Sequence, residues 1–230
     1  MKRAIDAVRH SLGSFLGGLT SCGQSTWDIR LDFVSHHATD AKKVFLFHQS
    51  SLFNQDLLKA LYERDALRDR FFTRDLSVFK DALNRLECRR NEASLVALDF
   101  CIDFPWRDSV SCHRVVVLIS DEPVEHGIAV QWQRDVLPAV SKKICALEIA
   151  LFIIAPESQL FMELAAVPRC EFYPAEKEGD GLSGMDFQKL MEMIGKSISQ
   201  RSLQASRENA ISALFGQNKW RKEGDSYSPT

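Results

Sequence analysis

The sequence predicts an α/β fold: a three-layer open sheet, mostly parallel, with helices on both faces and one antiparallel edge strand. Three observations predict it. The stretches His113–Asp121 (HRVVVLISD) and Leu147–Ala155 are continuous apolar runs without alternation, the pattern of strands buried on both faces of a parallel sheet. Trp27–Phe33 instead alternates apolar and polar residues, and Val44–Phe47 follows so closely that the two read as an antiparallel pair. Helix-period segments separate these strands along the rest of the chain.

In chain order, Lys2–Leu19 opens with Ile5, Val8, Leu12, Phe15, Leu16 and Leu19 at helical spacing, weakened at its end by Gly17 and Gly18. The alternating strand at Trp27–Phe33 comes next, then a polar break at His36–Lys43 and the second strand. Residues 52–70 and 75–87 read as helices with strong polar faces, the latter capped by Thr73 or Asp75. Asn91–Ser94 introduces an apolar helix that Pro105 ends, and the buried strand at residues 114–120 follows. Residues 130–143 form a helix that Pro138 is expected to kink or shorten. After the strand at residues 147–154, Pro156 starts a short helix to about Ala166, and Arg169–Tyr173 is a further strand. Glu176–Ser183 is a charged, Gly-rich loop, residues 185–200 an amphipathic helix, and residues 206–215 a last helix beyond a polar break. Residues 218–230 are expected to be a polar flexible tail, leaving one domain over residues 1–217.

The composition narrows the function classes. With 29 Lys and Arg against 31 Asp and Glu, the net charge is -2, which argues against a general nucleic-acid binder and a basic membrane-surface protein. Ile149–Ala155, the longest apolar run, falls far short of the ~18 residues of a membrane span. Lys2, Arg3, Asp6 and Arg9 interrupt any continuous apolar stretch at the N-terminus, so no secretion signal is read and a cytoplasmic location is expected. The six cysteines lack zinc-ligand spacing and read as reduced, core-filling thiols.

Most short motifs carry little chemistry. Gly195-Lys196-Ser197 resembles the end of a phosphate loop, but position 190 is Leu and the triplet sits inside a helix. His36, His37 and His113 lie at strand ends without a ligand cluster and read as structural histidines. No Gly-x-Ser-x-Gly elbow exists. Asp99 and Asp103, four apart on one helix, form either a carboxylate pair or a solvated face. Asp121, in Leu118-Ile119-Ser120-Asp121-Glu122-Pro123, is more informative. It ends a buried parallel strand, where open α/β sheets collect ligands and where a carboxylate can hold a hard cation.

These segments resemble a von Willebrand factor type A domain. Val115–Asp121 with Glu-Pro after it is similar to that family's fourth strand, Ala4–Leu19 to its first helix, Trp27–Phe33 to its second strand, and Asn91–Phe104 to the helix before the fourth strand. Phe172, the helix at residues 185–200 and Ala-Leu-Phe-Gly-Gln ending at Gln217 resemble bacterial intracellular members. The resemblance implies a Rossmann-like sheet and a metal-ion-dependent adhesion site, with Asp121 at the position of the second aspartate and Glu92 near a position usually held by threonine. The family's Asp-x-Ser-x-Ser and the strand before it have no counterpart, since Met1 falls just beyond that motif. The implied site is incomplete, so binding of Mg2+ or another divalent cation is expected to be weak or absent. That strand is central in the family topology, so the sheet is expected to need an upstream segment or a partner.

The function this implies is a protein-interaction domain that binds a protein partner, in the family's manner through a bridging cation, without catalysis. Intracellular bacterial members are associated with stress response or defence. The alternative is a magnesium-dependent phosphotransferase or hydrolase using Asp121 on a doubly wound sheet, against which stands the want of a nucleophile, base or phosphate loop at the strand ends. A scaffold subunit without metal is a third reading.

Overall fold

The computed structural model describes residues 2–20, 27–48, 51–52, 71–86, 91–107, 112–175, 182, 184–215, 220–223 and 226–229. Residues 53–70 of the helix expected at 52–70 and most of the loop at residues 176–183 lie outside the described residues, and Leu52 itself is in a strand. The chain divides into two compact units, one of Met1–His10 with Asp28–Phe187, the other of Ser11–Trp27 with Gln188–Thr230. No described helix is long and apolar enough to cross a membrane.

The first unit holds two sheets. In one, β1 (Val34–Asp40) pairs antiparallel with β2 (Lys43–His48), which pairs antiparallel with the short β3 (Ser51–Leu52). The expected hairpin is present, but its first strand is Val34–Asp40 and not Trp27–Phe33. The segment expected as a polar break is itself the strand, and of residues 27–33 only Leu31 bridges, to Thr73. The reason lies in the side chains. His37 stacks on Phe45 and Phe47 with centroids 5.1 and 5.6 Å away, and Ala38 packs on the opposite face with Ala93, Val96 and Ala129, so the strand is covered at both residues although a polarity pattern conceals it.

The second sheet is parallel, with order β4 (Val115–Ile119), β5 (Ala150–Pro156), β6 (Cys170–Ala175). Leu151–Ala155 of the central strand are fully buried. β4 has the same apolar composition, yet Val115, Val116, Val117 and Ile119 are half-buried, because β5 is its single neighbour among the described residues. The protein is therefore α/β, with a three-stranded parallel sheet and the antiparallel strands in a separate sheet.

Four helices of this unit follow from local chemistry. In α2 (Leu76–Asn84), the Asp75 carboxylate accepts from the backbone N–H of Ser77 and Val78 at 2.8 and 3.3 Å. α3 (Ser94–Ile102) is apolar except at Ser94 and Asp99, and seven of its nine residues are buried. Leu95, Leu98 and Ile102 pack with Leu118 and the β5 residues Leu151 and Ile153. Ala97 and Phe100 pack with Leu46, Phe71 and Phe104, and Val96 with Ala38 and Ala129. α4 (Val130–Ala146) runs unbroken through Pro138, which lies on the exposed face, where the carbonyl it deprives of a partner can be hydrated. Its inward residues Gln133, Leu137, Val140 and Ile144 keep helical spacing. Cys145, one step past Ile144, is therefore exposed, against the expectation of a core thiol, whereas burial beside Asp32 pushes the Cys101 thiol well above its usual range. In α5 (Gln159–Ala165), Ser158 caps Phe161 and Glu125 caps Leu160.

In the second unit, α6 (Phe187–Phe215) is continuous where two helices were expected. It crosses α1 (Lys2–Thr20) at paired glycines. A Cβ at Gly195 would lie 2.9 Å from the Leu19 nitrogen and closer still to the Phe15 carbonyl oxygen, and one at Gly18 would collide with the Glu192 carbonyl. Gly195 thus serves helix packing, not phosphate binding. Residues 220–223 (β7) and 226–229 (β8) pair antiparallel, where the sequence reading expects a flexible tail. Two short segments flanking Gly224-Asp225 carry the hairpin signal that polarity alone hides.

Candidate functional site at the carboxyl end of the parallel sheet

Asn91 has φ 62°, a left-handed conformation that asparagine tolerates, and its carbonyl accepts from the Ala38 N–H of β1 at 2.7 Å. This turn sends Glu92 toward the end of β4, just ahead of α3. The first turn of α3 has no side-chain cap of its own. Its N–H groups are met from a distance: Gln133 Oε1, on the buried side of α4, accepts from Leu95 at 3.0 Å. His36 Nδ1 accepts from the Ala93 N–H at 3.0 Å. A ring nitrogen that accepts a backbone N–H carries no proton, so His36 is the neutral Nε2–H tautomer, and burial, with the His37 charge, pushes its pKa down to about 4.

At the carboxyl end of β4, Ser120 is fully buried. Its hydroxyl hydrogen-bonds the Glu92 carboxylate, donates toward the Glu122 carbonyl at 2.8 Å and accepts the Glu122 N–H at 3.3 Å. Ser94 Oγ lies 3.5 Å from the same Glu92 oxygen. Burial pushes the Glu92 pKa up to about 8, and the neighbouring charges of Asp121 and Glu122 act in the same direction, against the Ser120 hydrogen bond. Glu92 and Asp121 also share a hydrogen bond that requires a proton between them. The two residues singled out from the sequence, 29 positions apart, are thus brought together at one sheet end.

The donor set is all oxygen: two carboxyl groups and a serine hydroxyl, with Glu122 adjoining. That chemistry suits a hard cation, which would replace the proton between Glu92 and Asp121. Among the described residues, however, no three His, Cys, Asp or Glu side chains converge as a metal-binding group, so water would have to complete any coordination shell.

The other candidates lie apart from this pair. Asp99 and Asp103 both bind Lys143 Nζ, at 2.9 and 2.7 Å, so this pair is an ion cluster joining α3 to α4. Partial burial disfavours the Lys143 charge, but the two aspartates outweigh it and raise its pKa. His37 is enclosed by phenylalanines, and burial together with Arg169 holds the pKa of His113 down. Sequence reasoning passed over Ser120, Ser94, Gln133 and His36 as parts of the site. The Ser-Asp-Glu step after the apolar run was the available signal for Ser120; nothing local marks Gln133 or His36, which act across the fold. No protein-family model matches the chain, and no curated protein matches it significantly.

Proposed function

We propose that this chain is a protein-interaction domain of von Willebrand factor type A character, in which Glu92 and Asp121, helped by Ser120, receive a divalent cation that recruits a carboxylate of a protein partner. The adjacency of the two carboxyl groups at the end of a parallel strand carries this reading. Two such groups at one site repel unless a proton or a cation lies between them, and a buried carboxyl with a pKa near 8 is one whose proton a cation can displace at neutral pH. The order of helix, antiparallel pair, apolar helix and parallel strands supports the family assignment. A bound Mg2+ or Mn2+ would supply positive charge and open coordination positions for an incoming oxygen ligand. The protein's part is to fix the carboxyl groups: Ser120 orients Glu92, and Gln133 and His36 hold the turn that carries it.

Calorimetric titration with Mn2+ and Mg2+ tests the proposal. Weak saturable binding is expected, strengthening from pH 6.5 to 8.5 with release of protons, and lost in Asp121→Ala and Glu92→Gln at unchanged secondary structure. Binding that is absent from the native chain, or undiminished by both substitutions, overturns it.

A further inference from the structure

Arg30, Arg74 and Arg107 converge on one carboxylate. Asp28 Oδ2 accepts from Arg74 Nη2 at 2.9 Å and from Arg107 Nη1 at 3.0 Å, and Arg30 Nε stands 3.7 Å from the same oxygen. Arg107 Nη2 also reaches the Asp28 carbonyl at 3.4 Å. Among the described residues, three guanidinium groups face this one carboxylate, a local excess of two positive charges. The segment carrying Arg107 is held in place: its carbonyl accepts from Arg114 Nε and Nη2 at 2.9 and 2.7 Å, while Arg114 Nη1 binds the Leu147 carbonyl. Arg107 follows the carboxyl end of α3, whereas Glu92 precedes its amino end.

The Arg30 side chain is 31% exposed, and its Nε has no hydrogen-bond acceptor, the nearest Asp28 oxygen lying at 3.7 Å. The Arg74 side chain is 64% exposed and that of Arg107 41%, so their remaining N–H groups are open to an incoming anion.

We propose that Arg30, Arg74 and Arg107 form a binding site for a phosphate group, with Asp28 standing in for the anion until the ligand displaces it. A phosphate carries roughly −1.5 to −2 charge at neutral pH and presents several acceptor oxygens, which matches the charge excess and the forked donors of three arginines. With Asp28 displaced, the three guanidinium groups carry three positive charges, of which a single carboxylate would meet one. Burial opposes the charge on Asp28, but the Arg107 hydrogen bond and the charges of Arg74, Arg107 and Arg30 hold its carboxyl below the usual range, so it is ionised at neutral pH.

The test is calorimetric titration of the full chain, at fixed ionic strength, with inorganic phosphate, a phosphoserine peptide and the same peptide unphosphorylated. Phosphate is expected to bind one to one and to weaken about tenfold or more in Arg74→Gln, an exposed position that leaves the fold intact. Asp28→Asn is expected to tighten phosphate binding severalfold, the opposite of what a purely structural ion cluster would give. A phosphopeptide that binds more tightly than free phosphate assigns the site to a phosphorylated protein, and equal affinities assign it to small phosphates; both uphold the site. It is overturned if phosphate gives no saturable binding, if Arg74→Gln leaves binding unchanged, or if the unphosphorylated peptide binds as well as its phosphorylated form.

Discussion

Glu92 and His36 titrate in opposite senses, and each ties stability to pH over its own range. Glu92 has its pKa raised from 4.5 to about 8, so between those values the folded state holds a proton that the unfolded state has released, and stability falls as pH rises. His36 has its pKa lowered from 6.5 to about 4, so the folded state holds less proton in that window, and stability is lost as pH falls through it. Of the two groups only Glu92 acts above pH 6.5. With a chelator present, thermal melting from pH 6.5 to 8 should show a loss of about 2 kcal/mol in the native chain, and Glu92→Gln should abolish that dependence. A native chain with flat melting across this range would show that the Glu92 carboxyl is not held neutral. Asp121 was legible in the sequence because the end of an apolar strand is a recurrent ligand position. Glu92 emerged only through the family resemblance, and the residues that hold it in place left no local trace, since a histidine or glutamine acting across the fold has no characteristic spacing.

α3 shows what periodicity can and cannot reveal about an element. Its apolar composition gave away the helix, and three clusters pack around it, while Asp99, expected in a carboxylate pair or on a solvated face, binds Lys143. Leu98→Ala should destabilise the fold by about 2–5 kcal/mol, whereas Val78→Ala on the half-exposed face of α2 should cost well under 1 kcal/mol, both read from chemical denaturation. β4 and β5 carry nearly the same pattern yet differ in surroundings, because the number of neighbouring strands is a property of the sheet and not of the strand. Hydrogen exchange separates them: amides throughout β5 should be protected, while those of β4 directed away from β5 should exchange much faster. Equal protection in both strands would mean that β4 has a second neighbour. The hairpin was legible as a motif but displaced in register, since histidines stacked between phenylalanines count as polar in a pattern and as apolar in a core.

At the scale of the molecule, local pattern located the helices and the parallel strands but missed β1, β3, β7 and β8, and it could not show which distant elements meet. The second unit joins Ser11–Trp27 to Gln188–Thr230, and a contact between segments so far apart leaves no periodic mark in either. The expected weakening of α1 at Gly17 and Gly18 had a different meaning: Gly18 permits the close approach of α6, and Gly195 is its counterpart. Gly195→Ala should cost about 1–3 kcal/mol, because the added methyl group meets backbone that cannot give way as a side chain would. The glycine crossing also has a bearing on time. Its two sides are separated by nearly the whole described chain, so closing it forfeits the freedom of all the residues between, and that loss is recovered only once most other contacts exist. The crossing should therefore form after the rate-limiting step of folding. Stopped-flow measurements on Gly195→Ala should then show an unchanged refolding rate and an unfolding rate raised by about five- to a hundredfold, which makes these two glycines a lock on how long the native state lasts rather than a determinant of how quickly it is reached.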